Sequence, residues 1–215
     1  MIRIKICCMA SIEEARMAVA RGASLLGLVS EMPSGPGPIP EERIAEIAVT
    51  VPPGVTPVLL TCRTDPSGIA DQVARCHVRA VQLCDRLEHG DLRALRAALP
   101  GIALLQVVHV TGPESVEEAV AAAPHVDAIL LDSGRPSLAV KELGGTGRVH
   151  DWTVSRRIRE GIGKPLFLAG GLRPDNVAEA IAAVRPYGVD VCTGVRTDGR
   201  LDEAKLVPFM EAVRR

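Results

Sequence analysis

The stretch Pro165-Leu-Phe-Leu-Ala-Gly-Gly-Leu-Arg-Pro-Asp-Asn-Val177 decides how the chain is read. Leu166 to Ala169 is a short apolar run with the length of a buried strand. Gly170 and Gly171 follow at once. Pro174 then stands where a first helical turn tolerates it, with Asp175 and Asn176 as polar residues of that turn. The order is strand, glycine turn, helix. Two residues without a Cβ let an anion approach the backbone, and a helix start offers it free N–H groups. The turn therefore suits a phosphate-bearing ligand. A lone Gly-Gly is more often an ordinary tight connection with no ligand, so recurrence of the same unit along the chain has to decide.

The unit recurs. Ile2, Ile4 and Ile6 alternate with Arg3 and Lys5, and Cys7 and Cys8 close a first strand. Ser11 predicts an N-cap, with Glu14 at the capping-box spacing, and Gly22 ends that helix. Leu25 to Val29 reads as a second strand, and Ser30 to Pro40 as a loop rich in Pro and Gly. Pro40 opens a second helix. Further strands are predicted over Val55–Thr61, Ala80–Leu83, Ile102–Val108, Ala128–Leu131, Leu166–Ala169 and Val189–Cys192. The helices between them begin near Pro66, Leu87, Pro113, Asp151 and Pro174, and a last one runs from Glu203 to Val213. Leu92, Leu95 and Leu99 share one helical face, and Glu114, Glu117 and Glu118 sit near a helix N-terminus as the dipole prefers. Asp132 to His150 is long and glycine-rich, the length of a functional or disordered loop. Eight β–α units at a spacing of roughly 25 residues predict an α/β fold, a (β/α)8 TIM barrel forming one domain over residues 1–215. A doubly wound sheet places its phosphate loop after an early strand. Here the early turn is Cys7-Cys8-Met9, and the glycine turns come after the seventh and eighth strands, where barrels commonly hold phosphate.

Composition narrows the partners. A chain of 215 residues, 47% of them hydrophobic, is long enough for one substantial core. A net charge of −1 and only one Trp, one Tyr and two Phe argue against nucleic acid as a partner. The N-terminus has no apolar signal-peptide core, and no run is long enough to span a membrane. A cytoplasmic protein is expected, with no membrane partner. Cys7, Cys8, Cys62, Cys76, Cys84 and Cys192 show no metal spacing, so no metal site and no structural disulfide are expected.

In a barrel the residues just past the strand ends gather around one mouth. These are Cys7 and Cys8, Ser30, Cys84 and Asp85, Asp132, Gly170 and Gly171, and Thr193 and Gly194. Two of the groups can move protons. A cysteine thiolate is a competent base when positive charge or dipoles lower its pKa, and a carboxyl beside apolar walls can serve as an acid. Taken singly, a cysteine ending a first strand is more often a packing residue, and an aspartate after a strand is often only a cap or turn residue. Together at one rim, they are the layout of a sugar-phosphate isomerase.

At these residues the chain resembles the phosphoribosylanthranilate isomerase family. The matching stretches run in order from end to end: Lys5-Ile-Cys7, Ala80-Val-Gln-Leu83, Leu130-Leu-Asp132, Gly144-Gly-Thr-Gly147 with Asp151-Trp152, Leu168-Ala-Gly-Gly-Leu172, Pro174 to Ala180, Val184 to Val191, and Thr193-Gly-Val195. The resemblance implies a barrel enzyme of tryptophan biosynthesis that carries out an Amadori rearrangement on a small-molecule phosphosugar substrate, with no cofactor and no metal. It implies Cys7 as general base and Asp132 as general acid. It places the phosphate against backbone N–H groups around Gly170, Gly171, Thr193 and Gly194, with Gly145 in the loop closing nearby. The expected state is a monomer or homodimer.

The chain departs from the family pattern at several points. Cys8 replaces a glycine after the base. Ser30-Glu-Met-Pro-Ser-Gly-Pro-Gly-Pro-Ile39 lacks the arginine that pairs with the anthranilate carboxylate and adds Glu31. Gln82-Leu-Cys84-Asp85 stands for Gln-Leu-His-Gly, and Thr193-Gly-Val-Arg196 for Ser-Gly-Val-Glu. Arg63 and Arg135 are candidates for a substitute cation. A paralogue acting on a different phosphosugar amine, or a non-catalytic phosphate-ligand-binding barrel, are the alternative functions.

Overall fold

Alternating apolar residues in short segments pair the chain into parallel strands, and amphipathic segments return across them. The computed structural model describes residues 1–215 apart from the side chain of His89. The strands are β1 (Arg3–Ile6), β2 (Leu25–Val29), β3 (Thr56–Thr61), β4 (Ala80–Leu83), β5 (Ala103–His109), β6 (Ala128–Asp132), β7 (Leu166–Leu168) and β8 (Gly188–Val191). They close on themselves in sequence order, with β8 hydrogen-bonded back to β1, so the sheet has no edge. Between them run α1 (Ile12–Ala20), α2 (Glu41–Ala48), α3 (Pro66–Cys76), α4 (His89–Ala98), α5 (Ser115–Ala122), α6 (Trp152–Gly161) and α7 (Val177–Val184); α8 (Glu203–Arg214) ends the chain.

Period-2 alternation sorts the strand side chains into two cores. Ile4, Ile6, Leu26, Leu28, Leu59 and Val81 face the helices and form one buried cluster with them. Cys7, Val58, Leu60, Leu105, Leu130 and Phe167 fill the barrel interior as a second cluster. Each apolar side chain so buried contributes on the order of 1.5–3 kcal/mol.

The helix starts follow local chemistry. Ser11 Oγ accepts from Glu14 N at 3.2 Å, while the Glu14 carboxylate reaches back to Ala10 N at 3.1 Å. Asp65, Asp151 and Asp202 cap α3, α6 and α8 in the same way. Two features differ from the sequence expectation. Helix α7 begins at Val177 rather than near Pro174, because the Asn176 side chain folds the preceding residues into a turn: its Oδ1 accepts from Arg173 N at 2.8 Å and its Nδ2 donates to Gly171 O at 3.0 Å. After β8 the chain also forms a 3-10 turn (Thr193–Val195) and a small hairpin of β9 (Arg196–Thr197) and β10 (Arg200–Leu201) before α8.

Candidate active site

The C-terminal ends of the strands open on one cavity at the barrel mouth. Cys7, Asp132, Gly145, Gly170, Gly171 and Thr193 all line it. Gly194 does not. It lies in the 3-10 turn, packed so closely on the Leu172 backbone that a Cβ would run into the Leu172 carbonyl oxygen.

The thiol of Cys7 sits above a buried ion pair. The alternation that sends Ile4 and Ile6 outward sends Lys5 and Cys7 into the barrel. Lys5 is wholly buried, and its Nζ donates to Asp190 Oδ2 at 2.9 Å. Gly27 makes the room: a Cβ there would lie 2.7 Å from Cys7 Sγ and 3.1 Å from Lys5 Nζ. Burial works against the Lys5 ammonium, but Asp190 and the nearby sulfurs outweigh it and hold the group charged, with its pKa above the usual lysine value. The Cys7 thiol is pulled the other way. A hydrogen bond from the Cys8 side chain lowers its pKa most; burial opposes this, and the Lys5 charge lowers it further. A thiol so placed has the chemistry to take up a proton.

The turn after β1 is held from the far end of the chain. Cys8 takes a left-handed conformation, φ 64°, at the position where the family pattern has glycine. The buried Arg196 guanidinium donates to the carbonyls of Cys7 and Cys8, at 3.1 Å for Cys7, and pairs with Glu14 at 3.1 Å. Glu14 also accepts from Leu201 N at 2.8 Å.

Asp132 ends β6, one residue further along the strand than the alternation predicts. Its Oδ1 accepts from Ser133 N at 2.7 Å. Its Oδ2 lies where only glycine fits, because a Cβ on Gly144 would be 2.5 Å away. The loop 144–147 then crosses the glycine turn. A Cβ on Gly171, φ 62°, would meet Arg148 C at 2.7 Å and Gly147 O at 2.8 Å. Residues 34–37 of the β2–α2 loop interlock with it: Ser34 Oγ donates to Lys141 O at 2.7 Å, and a Cβ on Gly145 would be 2.5 Å from Pro36 Cδ.

Two buried acceptors on the cavity wall have no partner among the described residues, Asp190 Oδ1 and Gln82 Oε1. A buried acceptor without a donor is costly, so both atoms suit hydroxyl groups of a ligand. No Lys or Arg is among the residues lining the cavity. The expectation that Arg63 or Arg135 supplies a cation there is not met. Arg63 borders an adjoining cleft with Asp85 and Lys141, which pair with each other, and Arg135 is tied to Glu142 by a backbone bridge. His109 is buried with Nε2 3.1 Å from Cys84 O and does not line the cavity. Among the described residues, no group of three or more His, Cys, Asp or Glu could hold a metal ion, and no helix is long and apolar enough to cross a membrane.

Lys5, Asp190, Glu14 and Arg196 are missed by reasoning from strand ends alone. The first two had a signal, since a charged residue inside a barrel strand that alternates with isoleucines must point inward. The last two had none, because their contact joins residues 182 positions apart.

A closed parallel barrel with a thiol, a carboxyl and a glycine cradle around one cavity defines the class: a (β/α)8 isomerase. The family model described as N-(5'phosphoribosyl)anthranilate (PRA) isomerase matches residues 4–212, and the chain belongs to that family. An N-(5'-phosphoribosyl)anthranilate isomerase of Methanocella arvoryzae is 37% identical over 215 residues, covering 100% of this chain and 99% of the relative. The crystal structure of phosphoribosyl anthranilate isomerase from Thermotoga maritima superposes with a TM-score of 0.84 at 31% identity, covering 100% of this chain and 99% of that one. A phosphoribosyl anthranilate isomerase in complex with reduced 1-(o-carboxyphenylamino)-1-deoxyribulose 5-phosphate superposes at 0.82 with 29% identity and the same coverage.

Proposed function

We propose that this chain converts N-(5'-phosphoribosyl)anthranilate into the 1-deoxyribulose 5-phosphate product of an Amadori rearrangement. One observation carries the proposal: a thiol with a lowered pKa and a carboxyl enter one cavity from β1 and β6, beside a glycine turn after β7. The phosphate lies against the N–H groups of Gly171 and its neighbours, with Thr193 at the rim, and fixes the sugar. Gly194 acts by letting the 3-10 turn pack closely on Leu172. Asp132 gives a proton to the ring oxygen as the C1–O bond opens, and the nitrogen lone pair forms the iminium. The Cys7 thiolate then takes the proton from C2, leaving an enolamine that tautomerises to the aminoketose. Asp190 Oδ1 and Gln82 Oε1 accept from the ribose hydroxyls. Neither a cofactor nor a metal enters these steps, the ligand is a small phosphosugar, and the reaction belongs to the cytoplasmic synthesis of tryptophan.

The absence of a cationic residue from the cavity wall favours a second reading, in which the amine carried by the phosphosugar bears no carboxylate. Purified protein supplied with phosphoribosylanthranilate should abolish the anthranilate-type fluorescence as product forms. No turnover, with ribose 5-phosphate still raising the melting temperature, would reject the first reading in favour of the second or of a non-catalytic binder.

A further inference from the structure

Two further thiols at the site, Cys8 and Cys192, take no proton from the substrate in the rearrangement. Cys192 Sγ donates to Cys8 Sγ at 2.7 Å, and both side chains line the cavity. A disulfide needs about 2.05 Å between the sulfurs, so closure asks for a movement of well under 1 Å. The backbone already supports the approach. β1 and β8 pair in parallel with Ile6 opposite Val191, and Cys7 N donates to Val191 O at 2.8 Å, so the two strand ends leave the barrel side by side. Arg196 interacts electrostatically with both sulfurs, while the neighbouring thiols and burial push the Cys8 pKa up, so Cys8 enters as the neutral partner. All six cysteines are free in the structure, and the other three outside the base, Cys62, Cys76 and Cys84, make no sulfur–sulfur contact of this kind.

We propose that Cys8 and Cys192 form an oxidative modification site, a dithiol that takes hydrogen peroxide as its reactant and closes to a reversible disulfide across the β1–β8 seam. Cys192 is the more exposed of the two and reacts first. Its sulfur, having lost its proton, attacks the peroxide: an S–O bond forms, the O–O bond breaks, and the departing hydroxide takes up a proton to leave as water. Cys8 then displaces the sulfenic oxygen as a second water and the S–S bond forms. Two thiols are oxidised by two electrons and one peroxide is reduced to two waters. A disulfide of this kind in a reducing compartment is transient and responds to oxidant. The product no longer offers a Cys8 S–H to Cys7, and it draws the turn that carries the base toward Thr193. It also disturbs the β2–α2 loop, because Gly37 packs directly on Cys8, with a Cβ there 2.6 Å from Cys8 Cβ.

The test reads thiols and peptide masses, so it stands apart from the isomerase assay. Intact protein is exposed to limiting hydrogen peroxide, denatured, alkylated and digested. The expected result is a loss of two of the six free thiols, a cross-linked peptide pair whose fragmentation joins Cys8 to Cys192, and full recovery with a phosphine reductant. Cys192→Ser and Cys8→Gly should each abolish the cross-link. A cross-link that persists in Cys8→Gly would place Cys7 in the pair and overturn the proposal. Oxidation that gives only isolated sulfinic acids at Cys7 or Cys192 would overturn it too.

Discussion

Replacing Lys5 by Met tests how the base is tuned. Cys7 Sγ and Lys5 Nζ both lie against Gly27, within about 6 Å of each other. At an effective dielectric of about 20, a full charge at that distance is worth about 3 kcal/mol to a thiolate, or about two pH units. The sign follows from the direction of the shift. The Lys5 charge lowers the Cys7 pKa, so the thiolate forms at lower pH when Lys5 is present, and its removal delays the thiolate to higher pH. The acidic limb of kcat/KM should therefore move upward by about two units. The same change leaves the Asp190 carboxylate buried without its partner, which costs about 3–5 kcal/mol of stability. The double variant Lys5→Met, Asp190→Asn should recover most of that loss in urea denaturation while keeping a limb shifted in the same direction. An acidic limb in Lys5→Met within about half a unit of the parent would show that Lys5 is only a structural plug and refute the electrostatic account.

Other outcomes follow from the same geometry. Cys7→Ser and Asp132→Asn should each lower kcat by at least about 10²-fold with unchanged far-UV circular dichroism, and near-parental turnover in either would remove that residue from the chemistry. Gly171→Ala, which forces a Cβ into the backbone of residues 147–149, should weaken inorganic phosphate or ribose 5-phosphate binding by at least about tenfold in calorimetry. His77→Gly relieves an exposed left-handed residue at the end of α3, φ 54°, and should stabilise the protein by about 1 kcal/mol in its urea midpoint. Burial raises the Glu14 pKa, but Arg196 and the N–H groups of Leu201 and Ala10 outweigh it, so the carboxyl titrates below its ordinary value. Its contribution is complete above about pH 4.3 and is lost as the pH falls through the lowered folded value. Glu14→Gln should be less stable than the parent at pH 7 and lose less on acidification.

Much of this was legible because local chemistry and long-range packing agree. Ser11 with Glu14, and the apolar runs that end at Val29 and Leu83, place caps and strands where the structure has them. The glycines at 170 and 171 mark the turn at the cavity wall, where both adopt a positive φ. Helix α7 starts late because an asparagine side chain can mimic a turn more cheaply than a proline can start a helix, a contest between neighbours that propensity does not resolve. The hairpin β9–β10 stayed hidden because two-residue strands carry no periodicity. Arg63 and Arg135 failed as candidates because sequence proximity to a strand end does not say which way a loop turns.

The Arg196–Glu14 tie gives the barrel a direction in time. The carbonyls that shape the base's turn receive their donors only when the last β–α unit has arrived, 182 residues after Glu14. During synthesis the turn after β1 emerges first and receives this tie last. A nascent chain that has not yet reached Arg196 leaves the Cys7 and Cys8 carbonyls without this donor, and the turn after β1 without this tie.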